Sequence, residues 1–474
     1  MRRRWLGVVS LLAAFALVAA ACGDDDTGGS TTQATTTETT TAATTTTTEG
    51  TTATTTAATT TAATTAAEEV QFDFGVTPAP CGDAVNEGNG CIYLGVLSDL
   101  SDGPFVALAV PITRAQEDFW DKVNADGGLD GFDVFITAEN TFDTHYDPGL
   151  TVEGYESMKD DVLMIAQTLG TPQTQAVLPR YIEDDIVSGI ASWSETWAHK
   201  DEGHVLEAGA PYCIDAINNV SHAVGILGSD ITWAVVAFPG DYGGEYAIGA
   251  SIAASELGLG DPVANITQLP LSVGGETDST AAELIAAAPD LIVIVTGPNE
   301  MAEIVGKVFG GGHQAFKVAA AAPTWNVGLL GVTDLVPLLQ AVYYVSGPFG
   351  GWDTDSQGHA DMRASALANG QDPNNAYLQG WAWSYPTKAL LERGLADKNI
   401  MREHLVEVAQ TLEVDYDGIM PNRSHAGAPD DNVERSSVVS GVDPEASDGL
   451  VPLTDVFISE TAASLDFSNP CLDV

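Results

Sequence analysis

The chain has 474 residues, with 66 acidic and only 17 basic side chains, and a formal charge of −49 at pH 7. Such a charge argues against nucleic-acid binding and against attachment to anionic lipid through a basic patch, because both partners are negative. A hydrophobic fraction of 45% is normal for a folded protein, so the acidity belongs to a solvated surface. The length is enough for two or more regions with cores of their own.

The first 22 residues have the pattern of an export signal. Arginines at 2–4 precede an apolar run over residues 6–21, shorter than the roughly 20 residues of a membrane-spanning helix. The run ends in VAAA before Cys22, and acidic residues follow at 24–26. This resembles the lipobox of bacterial lipoproteins, which implies removal of residues 1–21 and a diacylglyceryl thioether on Cys22. The alternative is an ordinary secretory signal; the general secretory route is favoured over a twin-arginine one.

Residues 31–67 are almost entirely threonine and alanine. They comprise 23 Thr and 10 Ala among 37 positions, so they have very little apolar surface to bury. We therefore expect residues 22–90 to hold the lipidated cysteine, a disordered tether and a short lead-in. A random coil of the length of the threonine-rich segment spans roughly 30–40 Å. It is either a bare spacer or a carrier of O-glycans.

With Cys22 assigned to the lipid, Cys81, Cys91, Cys213 and Cys471 remain, an even number for an oxidising compartment. Three pairings are possible. The sequence favours Cys81 with Cys91, which closes a short Gly/Asn-rich loop, and then Cys213 with Cys471. No cysteine or histidine spacing suits zinc, and neither a metal nor a cofactor is expected.

From Cys91 onward, apolar runs alternate with amphipathic stretches. We predict strands at 92–97, 132–136, 162–166, 233–238, 263–267, 291–295, 318–321 and 341–346, and a further strand ending at 191. Helices are predicted at 107–124, 150–160 and 244–258, with mostly helical structure over 357–410 and short strands and turns over 412–457. Repeated βα units indicate an α/β fold with parallel sheets, in which ligands bind at the carboxyl ends of strands.

Three segments carry a family resemblance. They are residues 95–104 (GVLSDLSDGP), residues 123–131 (VNADGGLDG), and Asp143 with the later Asp147-Pro148. In this order they resemble the first binding loop, the "VNAxGGIxG" signature and the "D…DP" helix start of leucine/isoleucine/valine-type solute-binding proteins of ABC importers. Residues 170–171, 241–243, 343–349 and the 412–457 tail extend the resemblance to about residues 92–460.

The resemblance implies a type I periplasmic-binding-protein fold for residues 91–474. Its two doubly wound α/β lobes would be joined by a three-crossover hinge and close around a ligand. We expect lobe 1 to comprise about 92–212 and 347–412, and lobe 2 about 213–346 and 413–470. The crossovers are then expected near 211–214, 345–348 and 411–414.

Candidate binding residues follow the ends of predicted strands. Thr171 stands at a helix start, where a hydroxyl and backbone N–H groups suit a carboxylate or another acceptor. In similar proteins this loop and the next, with Ser192, Trp193 and Ser194, hold the ligand's carboxylate, although either serine also suits a helix N-cap. Tyr242 resembles the tyrosine by which lobe 2 covers the ligand. The full set of candidates is Ser101, Phe105, Thr171, Ser192, Trp193, Ser194, Asp241, Tyr242, Asn299 and Trp325.

One departure from the family pattern affects the ligand. Amino-acid-binding members place an acidic side chain after the strand that matches 318–321, whereas residues 322–326 here read APTWN. Unless Asp241 or Glu300 substitutes, the ligand is not an α-amino acid, since a buried ammonium without a counter-charge is costly. Trp193 and Trp325 then suggest an aromatic, acyl or otherwise bulky solute. Packing roles are expected for four other tryptophans, Trp120, Trp233, Trp381 and Trp383.

The chain has no G-x-S-x-G, Walker A or H-E-x-x-H motif, so we do not expect an enzyme. The resemblance implies an extracytoplasmic solute-binding lipoprotein, anchored to the outer face of the cell membrane through Cys22. It would capture an amino-acid-like, amide, aromatic or acyl solute. As a monomer, it would deliver this solute to a separate ABC permease. The alternative is a ligand-sensing receptor of the same fold coupled to a membrane signalling partner.

Overall fold

The computed structural model describes residues 69–200 and 203–472. The predicted leader, the Cys22 lipidation site and the threonine-rich tether lie outside these residues. Within the described part of the chain, no helix has both the length and the apolar character needed to cross a membrane.

The first sheet is built mainly from parallel strands. Its strands are β1 (Val76–Thr77), β2 (Gly90–Ser98), β3 (Phe132–Asp143), β4 (Met164–Leu169), β5 (Ser188–Ala191) and β6 (Val205–Leu206). Strand β2 pairs with β3 along one edge, while β1 and β4 share its other edge; β4, β5 and β6 follow in that order. Only β1 is antiparallel to its neighbour. Almost every residue of β2 is buried, as expected for a parallel strand covered on both faces.

Helices from two parts of the chain cover this sheet. They are α1 (Val106–Ala125), α2 (Pro148–Met158), α3 (Thr171–Glu183) and α4 (Thr196–Lys200), then α10 (Gln357–Ala368), α11 (Asn375–Ala396) and α12 (Arg402–Ala409). Asp147 caps α2 by accepting hydrogen bonds from the N–H groups of Gly149 and Leu150, and Pro148 supplies the preset φ of the first turn. This is the physical role of the Asp-Pro motif. We call this sheet and its helices lobe 1.

The second sheet comes from the middle and the end of the chain. Its strands are β7 (Trp233–Ala237), β8 (Ala264–Thr267), β9 (Leu291–Val295), β10 (Lys317–Ala321), β11 (Tyr343–Gly347), β14 (Val438–Val442) and β15 (Leu450–Pro452). Their order is β15-β14-β11-β10-β9-β7-β8; the β15–β14 and β14–β11 pairings are antiparallel and the other four are parallel. Along the chain between β11 and β14, the strands β12 (Glu413–Val414) and β13 (Arg423–Ser424) form a separate two-stranded hairpin.

Lobe 2 consists of the second sheet and the helices that pack on it. These are α5 (Tyr212–Leu227), α6 (Asp241–Glu256), α7 (Thr277–Ala287), α8 (Pro298–Gly310), α9 (Val336–Val342) and α14 (Glu460–Ser464). A short helix, α13 (Pro429–Asn432), precedes β14, and three 3₁₀ turns lie at Leu271–Val273, Ala322–Thr324 and Val327–Gly331. The predicted α/β fold with two lobes is thus confirmed.

The lead-in before Cys91 is part of lobe 1, although the sequence placed the start of the body at residue 91. Strand β1 pairs with β2, and the Cys81–Cys91 disulfide joins the loop between them to β2 itself. Asp133 of β3 accepts hydrogen bonds from the side chains of Asn86 and Asn89, both at 2.8 Å. These contacts explain the Gly/Asn-rich loop, which fixes the edge of the sheet.

The chain passes three times between the lobes, at residues 207–211, 348–356 and 425–437. The first two crossovers adjoin the predicted positions. The third was expected near 411–414, but those residues lead into β12, which pairs with β13 and packs against α11 of lobe 1. A two-residue strand has too little hydrophobic pattern to be recognised in the sequence.

The second disulfide joins Cys213 to Cys471, completing the pairing that the sequence favoured. It ties the end of the chain to α5 of lobe 2. The carboxylate of Glu195 in lobe 1 accepts hydrogen bonds from the N–H groups of Cys471 at 2.6 Å and Leu472 at 2.5 Å. The C-terminal residues therefore contact both lobes beside the hinge.

Candidate ligand-binding cleft

A small cavity lies between the lobes, at the carboxyl ends of their parallel strands. Its volume is about 40 Å³, enough for the centres of only a few water molecules. The lining residues are mostly aromatic and aliphatic: Phe105, Leu108, Ile112, Tyr146, Leu169, Gly170, Thr171, Ala191, Trp193, Tyr212, Tyr242, Pro323, Gln379 and Trp383. This is the position that an α/β sheet offers to a ligand.

Aromatic rings from the two lobes meet across the cavity. Phe105 of lobe 1 lies 4.9 Å from Tyr146 and 6.0 Å from Tyr242 of lobe 2, measured between ring centroids. Tyr212, at the first crossover, lies 5.0 Å from Tyr242. Both lobes therefore contribute to one aromatic wall, and separating them would open it.

Phe105 is placed by a buried carboxylate. Asp99 follows β2 and accepts hydrogen bonds from the N–H groups of Gly103 at 2.9 Å and Phe105 at 2.8 Å. Its burial raises the pKa of Asp99, although these two bonds act in the opposite direction. The loop that resembles the first binding loop of the family is thus folded around Asp99, with Phe105 at its end.

Thr171 is placed by a glycine that no other residue can replace without strain. Gly170 has φ +102°, and a β-carbon there would lie 2.2 Å from Gln173 Oε1 and 2.6 Å from the Tyr146 ring. The Thr171 hydroxyl is hydrogen-bonded to the Ser192 hydroxyl at 2.7 Å. The two loops that follow β4 and β5 are therefore joined beneath the cavity.

Two indoles form the hinge side of the wall. Trp193 donates from Nε1 to the carbonyl oxygen of Ala208 at 2.5 Å, which links it to the first crossover. Its ring centroid lies 5.0 Å from that of Trp383, which belongs to α11. Hinge and wall are thus in direct contact at Trp193.

Burial affects the ionisation of two tyrosines of the wall, Tyr212 and Tyr242. Burial raises the pKa of both Tyr212 and Tyr242 above the usual value of a phenol. The Tyr242 hydroxyl donates to the carbonyl oxygen of Thr296 at 3.2 Å, so its ring is fixed against β9. Among the described lining side chains none is charged, and the cavity offers apolar surface with a few hydroxyl, amide and indole groups.

The candidates Phe105, Thr171, Trp193 and Tyr242 all line the cavity. Ser192 lies directly behind it, hydrogen-bonded to Thr171. The α6 helix begins at Asp241, whose side chain is outside the described part of the structure. The structure thus brings these five described side chains together at one place between the lobes.

Four candidates lie elsewhere. Ser101 is exposed and hydrogen-bonded to His145, and Ser194 is buried outside the cavity lining, where it donates to Glu245. Asn299 is on the exposed face of α8. Trp325 is 1% exposed within the core of lobe 2, where its Nε1 donates to the carbonyl oxygen of Asp448 at 3.4 Å. Trp325 does follow strand β10, as predicted, but after the intervening 3₁₀ turn its indole lies in the core of lobe 2.

Sequence reasoning missed several wall residues: Leu108, Ile112, Tyr146, Leu169, Tyr212, Pro323, Gln379 and Trp383. Trp383 was expected to have only a packing role, as Trp120, Trp233 and Trp381 do. Leu108 and Ile112 lie on α1, and Gln379 and Trp383 lie on α11. No local sequence pattern shows which face of a buried helix borders a cleft. For Tyr212, its place beside the predicted first crossover was an available signal.

One grouping of potential metal ligands occurs among the described residues, at Glu195, Cys213 and Cys471. Because the two sulfurs form a disulfide, they are not available to ligate a metal ion.

Comparison with solved structures shows the same fold in several binding proteins. A fatty acid ABC transporter substrate-binding protein from Thermomonospora curvata is 23% identical, with a TM-score of 0.72, covering 84% of this chain and 97% of its own. A branched-chain amino acid ABC transporter protein from Thermus thermophilus with bound valine is 16% identical, with a TM-score of 0.65 and coverages of 79% and 98%. A leucine-binding protein from Thermotoga maritima is 14% identical, with a TM-score of 0.61 and coverages of 77% and 99%.

No curated protein sequence matches the chain. A family model described as periplasmic binding protein matches residues 91–445, which span both lobes and all three crossovers. The family resemblance inferred from the sequence is thereby confirmed, and the chain belongs to the periplasmic binding protein family.

Proposed function

We propose that this protein is the solute-binding component of an ABC importer and captures a small organic solute between its lobes. The observation that carries the proposal is the aromatic cavity, whose wall is formed by both lobes and which borders the hinge at Trp193. A ligand that replaces contacts between the lobes stabilises their closed arrangement. A permease and an ATPase then have to be supplied by separate proteins.

We further propose that the body is held outside the cell membrane by a lipid on Cys22. The support is the leader and lipobox pattern of residues 2–26, together with the threonine-rich segment that follows. A diacylglyceryl anchor followed by a long spacer would keep the binding body close to a permease while leaving it free to rotate.

The related structures point to two classes of solute. Their titles name a fatty acid transporter in one case and branched-chain amino acids in others. Both classes have an apolar body, which fits the cavity lining, and a carboxylate, which suits the N-terminus of α3 beside Thr171.

The binding function is tested by a thermal-shift screen of the purified protein against amino acids, amides, aromatic acids and acyl acids. At least one solute is expected to raise the melting temperature, because binding to the folded state stabilises it. Isothermal titration then gives the affinity of that solute. A screen in which no solute changes the melting temperature would contradict the proposal.

The anchor is tested by fractionation of cells that make the wild-type protein or Cys22→Ser. The wild type is expected in the membrane fraction and the variant in the medium or the soluble extracytoplasmic fraction. Mass spectrometry of the mature wild-type N-terminus should show the lipid on residue 22. Recovery of both proteins in the same soluble fraction would argue for an ordinary secretory signal.

A further inference from the structure

The cavity has a chemical character that bears on ligand selection, provided that the solute-binding function proposed above is correct. We infer that the cleft selects apolar solutes that carry no ammonium group, such as a carboxylic acid or an amide with an aliphatic or aromatic body. It thus discriminates against the α-amino acid of the same side chain.

The first support is the absence of a charged group from the described cavity wall. The lining consists of aromatic and aliphatic side chains with the polar groups of Thr171, Gln379 and the tyrosines. An ammonium group enclosed here would lose its hydration and gain neutral acceptors and aromatic ring faces. The attraction to a ring face is smaller than the cost of burying an unpaired ion. Without a carboxylate partner, that exchange is unfavourable.

The second support is that the carboxylates around the cleft already accept hydrogen bonds from the protein. Asp99 accepts from two backbone N–H groups of its own loop. Asp215 accepts from Ser346 and Ser437 at 2.6 and 2.7 Å. Glu245 accepts from the Ser194 hydroxyl and from the N–H of Glu195. Each of these acids therefore has a structural role that would be disturbed by a turn toward a ligand.

Two further carboxylates, Glu300 and Asp241, are candidates to pair with an ammonium group. Glu300 is buried and accepts a hydrogen bond from the N–H of Leu271 at 2.7 Å, at a loop of lobe 2 outside the cavity lining. Asp241 precedes Tyr242, but its side chain is not among the described ones. Its effect is measured directly by an Asp241→Asn variant in the experiment below.

The third support is the depth of the apolar surface in lobe 1. Leu108 and Ile112 from α1 face Gln379 and Trp383 from α11 across the cavity. The two helices approach closely because residue 380 is glycine, where a β-carbon would lie 2.2 Å from the Ile112 carbonyl oxygen. Where these two helices meet, the cavity has an aliphatic and aromatic lining, and Thr171 supplies a polar group to the same cavity.

The experiment compares solutes that differ only in the ammonium group. Isothermal titration of the purified protein uses leucine, 4-methylpentanoate and 4-methylpentanamide, then phenylalanine, 3-phenylpropanoate and 3-phenylpropanamide. In at least one series the acid or the amide is expected to bind at least tenfold more tightly than the amino acid. The acid and amide arms show whether the favoured solute is anionic or neutral. Asp241→Asn measures the contribution of that side chain: weaker binding of the amino acid alone would identify Asp241 as the partner of an ammonium group.

A gain-of-function variant makes the test sharper. Pro323 lines the cavity in the 3₁₀ turn after β10, where a carboxylate would face the ligand. Pro323→Asp is expected to raise the affinity for leucine or phenylalanine at least tenfold relative to Pro323→Asn. The asparagine variant has nearly the same shape and no charge, and circular dichroism with thermal melting checks that both variants fold.

The outcomes separate the inference from the function on which it rests. Equal or tighter binding of the amino acid in both series would overturn the inference and leave the solute-binding function intact, as would a selective loss of amino-acid binding in Asp241→Asn. Failure of all six probes to bind would also overturn it, because the apolar wall should accept at least one of these bodies. Failure of the proposed function itself would be seen as a lack of any ligand in the wider thermal-shift screen.

Discussion

At the level of single residues, Tyr242 is the main contribution of lobe 2 to the cavity wall. Its ring contacts both Phe105 of lobe 1 and Tyr212 at the first crossover, while its hydroxyl is bonded to the Thr296 carbonyl. Truncation to alanine removes the surface that covers the ligand. We expect Tyr242→Ala to weaken binding of the solute found in the screen at least tenfold, as measured by isothermal titration.

The matched control is Tyr242→Phe, which retains the ring and removes only the hydroxyl. It should bind within about threefold of the wild type, since its loss is one hydrogen bond within lobe 2. Equal affinities of the alanine variant and the wild type would remove Tyr242 from the binding site. Unfolding of the alanine variant is checked by its melting curve.

A second prediction at this scale concerns Gly170, whose φ of +102° and close neighbours require glycine. Gly170→Ala should lower stability by about 1–3 kcal/mol through backbone strain and displacement of Gln173 or Tyr146. It should also weaken ligand binding, because Thr171 and Tyr146 both line the cavity. Denaturant unfolding and isothermal titration measure the two effects.

Gly312→Ala separates backbone strain from the crowding at the cavity. Gly312 has φ +107°, but a β-carbon there would meet no atom within 4 Å, and the residue lies beyond α8. The control should lose stability through strain alone and bind ligand normally. A Gly170→Ala variant that behaved the same way would show that the cavity tolerates the added methyl group.

These residues show how far the sequence could predict the site. Thr171 and Tyr242 were predictable because both stand near the start of a helix that follows a parallel strand. Trp325 was predicted to bind ligand but lies in the core of lobe 2, whereas Trp383 was predicted to pack in the core but lines the cavity. Each is nearly buried, and only the three-dimensional packing of a helix or turn decides whether an indole faces a cleft or a core.

At the level of elements, one carboxyl group connects the segments at all three crossovers. Asp215 lies in the first turn of α5, after the first crossover. Ser346 is the next-to-last residue of β11, before the second crossover, and Ser437 is the last residue of the third crossover, directly before β14. Both serine hydroxyls donate to Asp215. Burial raises the pKa of Asp215 to about 6, although these two hydrogen bonds act in the opposite direction.

This position gives a pH-dependent prediction. Because the folded-state pKa lies above the unfolded value of about 3.9, the folded protein binds this proton more tightly. The contribution of Asp215 to stability is therefore greatest below about pH 4 and falls as the pH rises to about 6. A difference of about two units between the folded and unfolded pKa corresponds to roughly 3 kcal/mol of stability. Asp215→Asn should remove this part of the decline in stability with pH.

The measurement is the free energy of unfolding at pH 4, 5, 6 and 7 for the wild type and the variant. Asp126→Asn is the control, because Asp126 is an exposed partner of Lys122 outside the hinge. An identical pH profile for Asp215→Asn and the wild type would show that Asp215 titrates normally in the folded protein.

Most helices and strands could be predicted because buried parallel strands and amphipathic helices have distinct patterns. Strands β2, β7, β9 and β10 lie within one or two residues of their predicted bounds. Strand β3 extends seven residues beyond its predicted end, and the four strands of two residues, β1, β6, β12 and β13, had no predicted bounds of their own. Their existence depends on partners distant in the chain, so the third crossover and the start of lobe 1 could not be derived locally.

At the level of the whole molecule, the two lobes meet around a cavity of about 40 Å³, so an organic solute needs more space between them than this structure shows. Besides the aromatic contacts, Asn326 of lobe 2 donates from Nδ2 to the carbonyl oxygen of Ala107 in lobe 1 at 2.9 Å. The Asn326 Oδ1 also accepts from the N–H of Gly328, which caps a 3₁₀ turn. One side chain therefore combines a local cap with a contact that exists only when the lobes are closed.

Asn326→Asp separates these two roles. The carboxylate can still cap the turn, but it cannot donate to Ala107 and should repel that carbonyl oxygen. We expect the free protein to shift toward the open arrangement, with a larger radius of gyration in small-angle X-ray scattering and an unchanged melting temperature. Since one exposed hydrogen bond is lost, affinity should fall about two- to tenfold. Saturating ligand should restore the wild-type radius, and identical scattering without ligand would show that this bond does not affect closure.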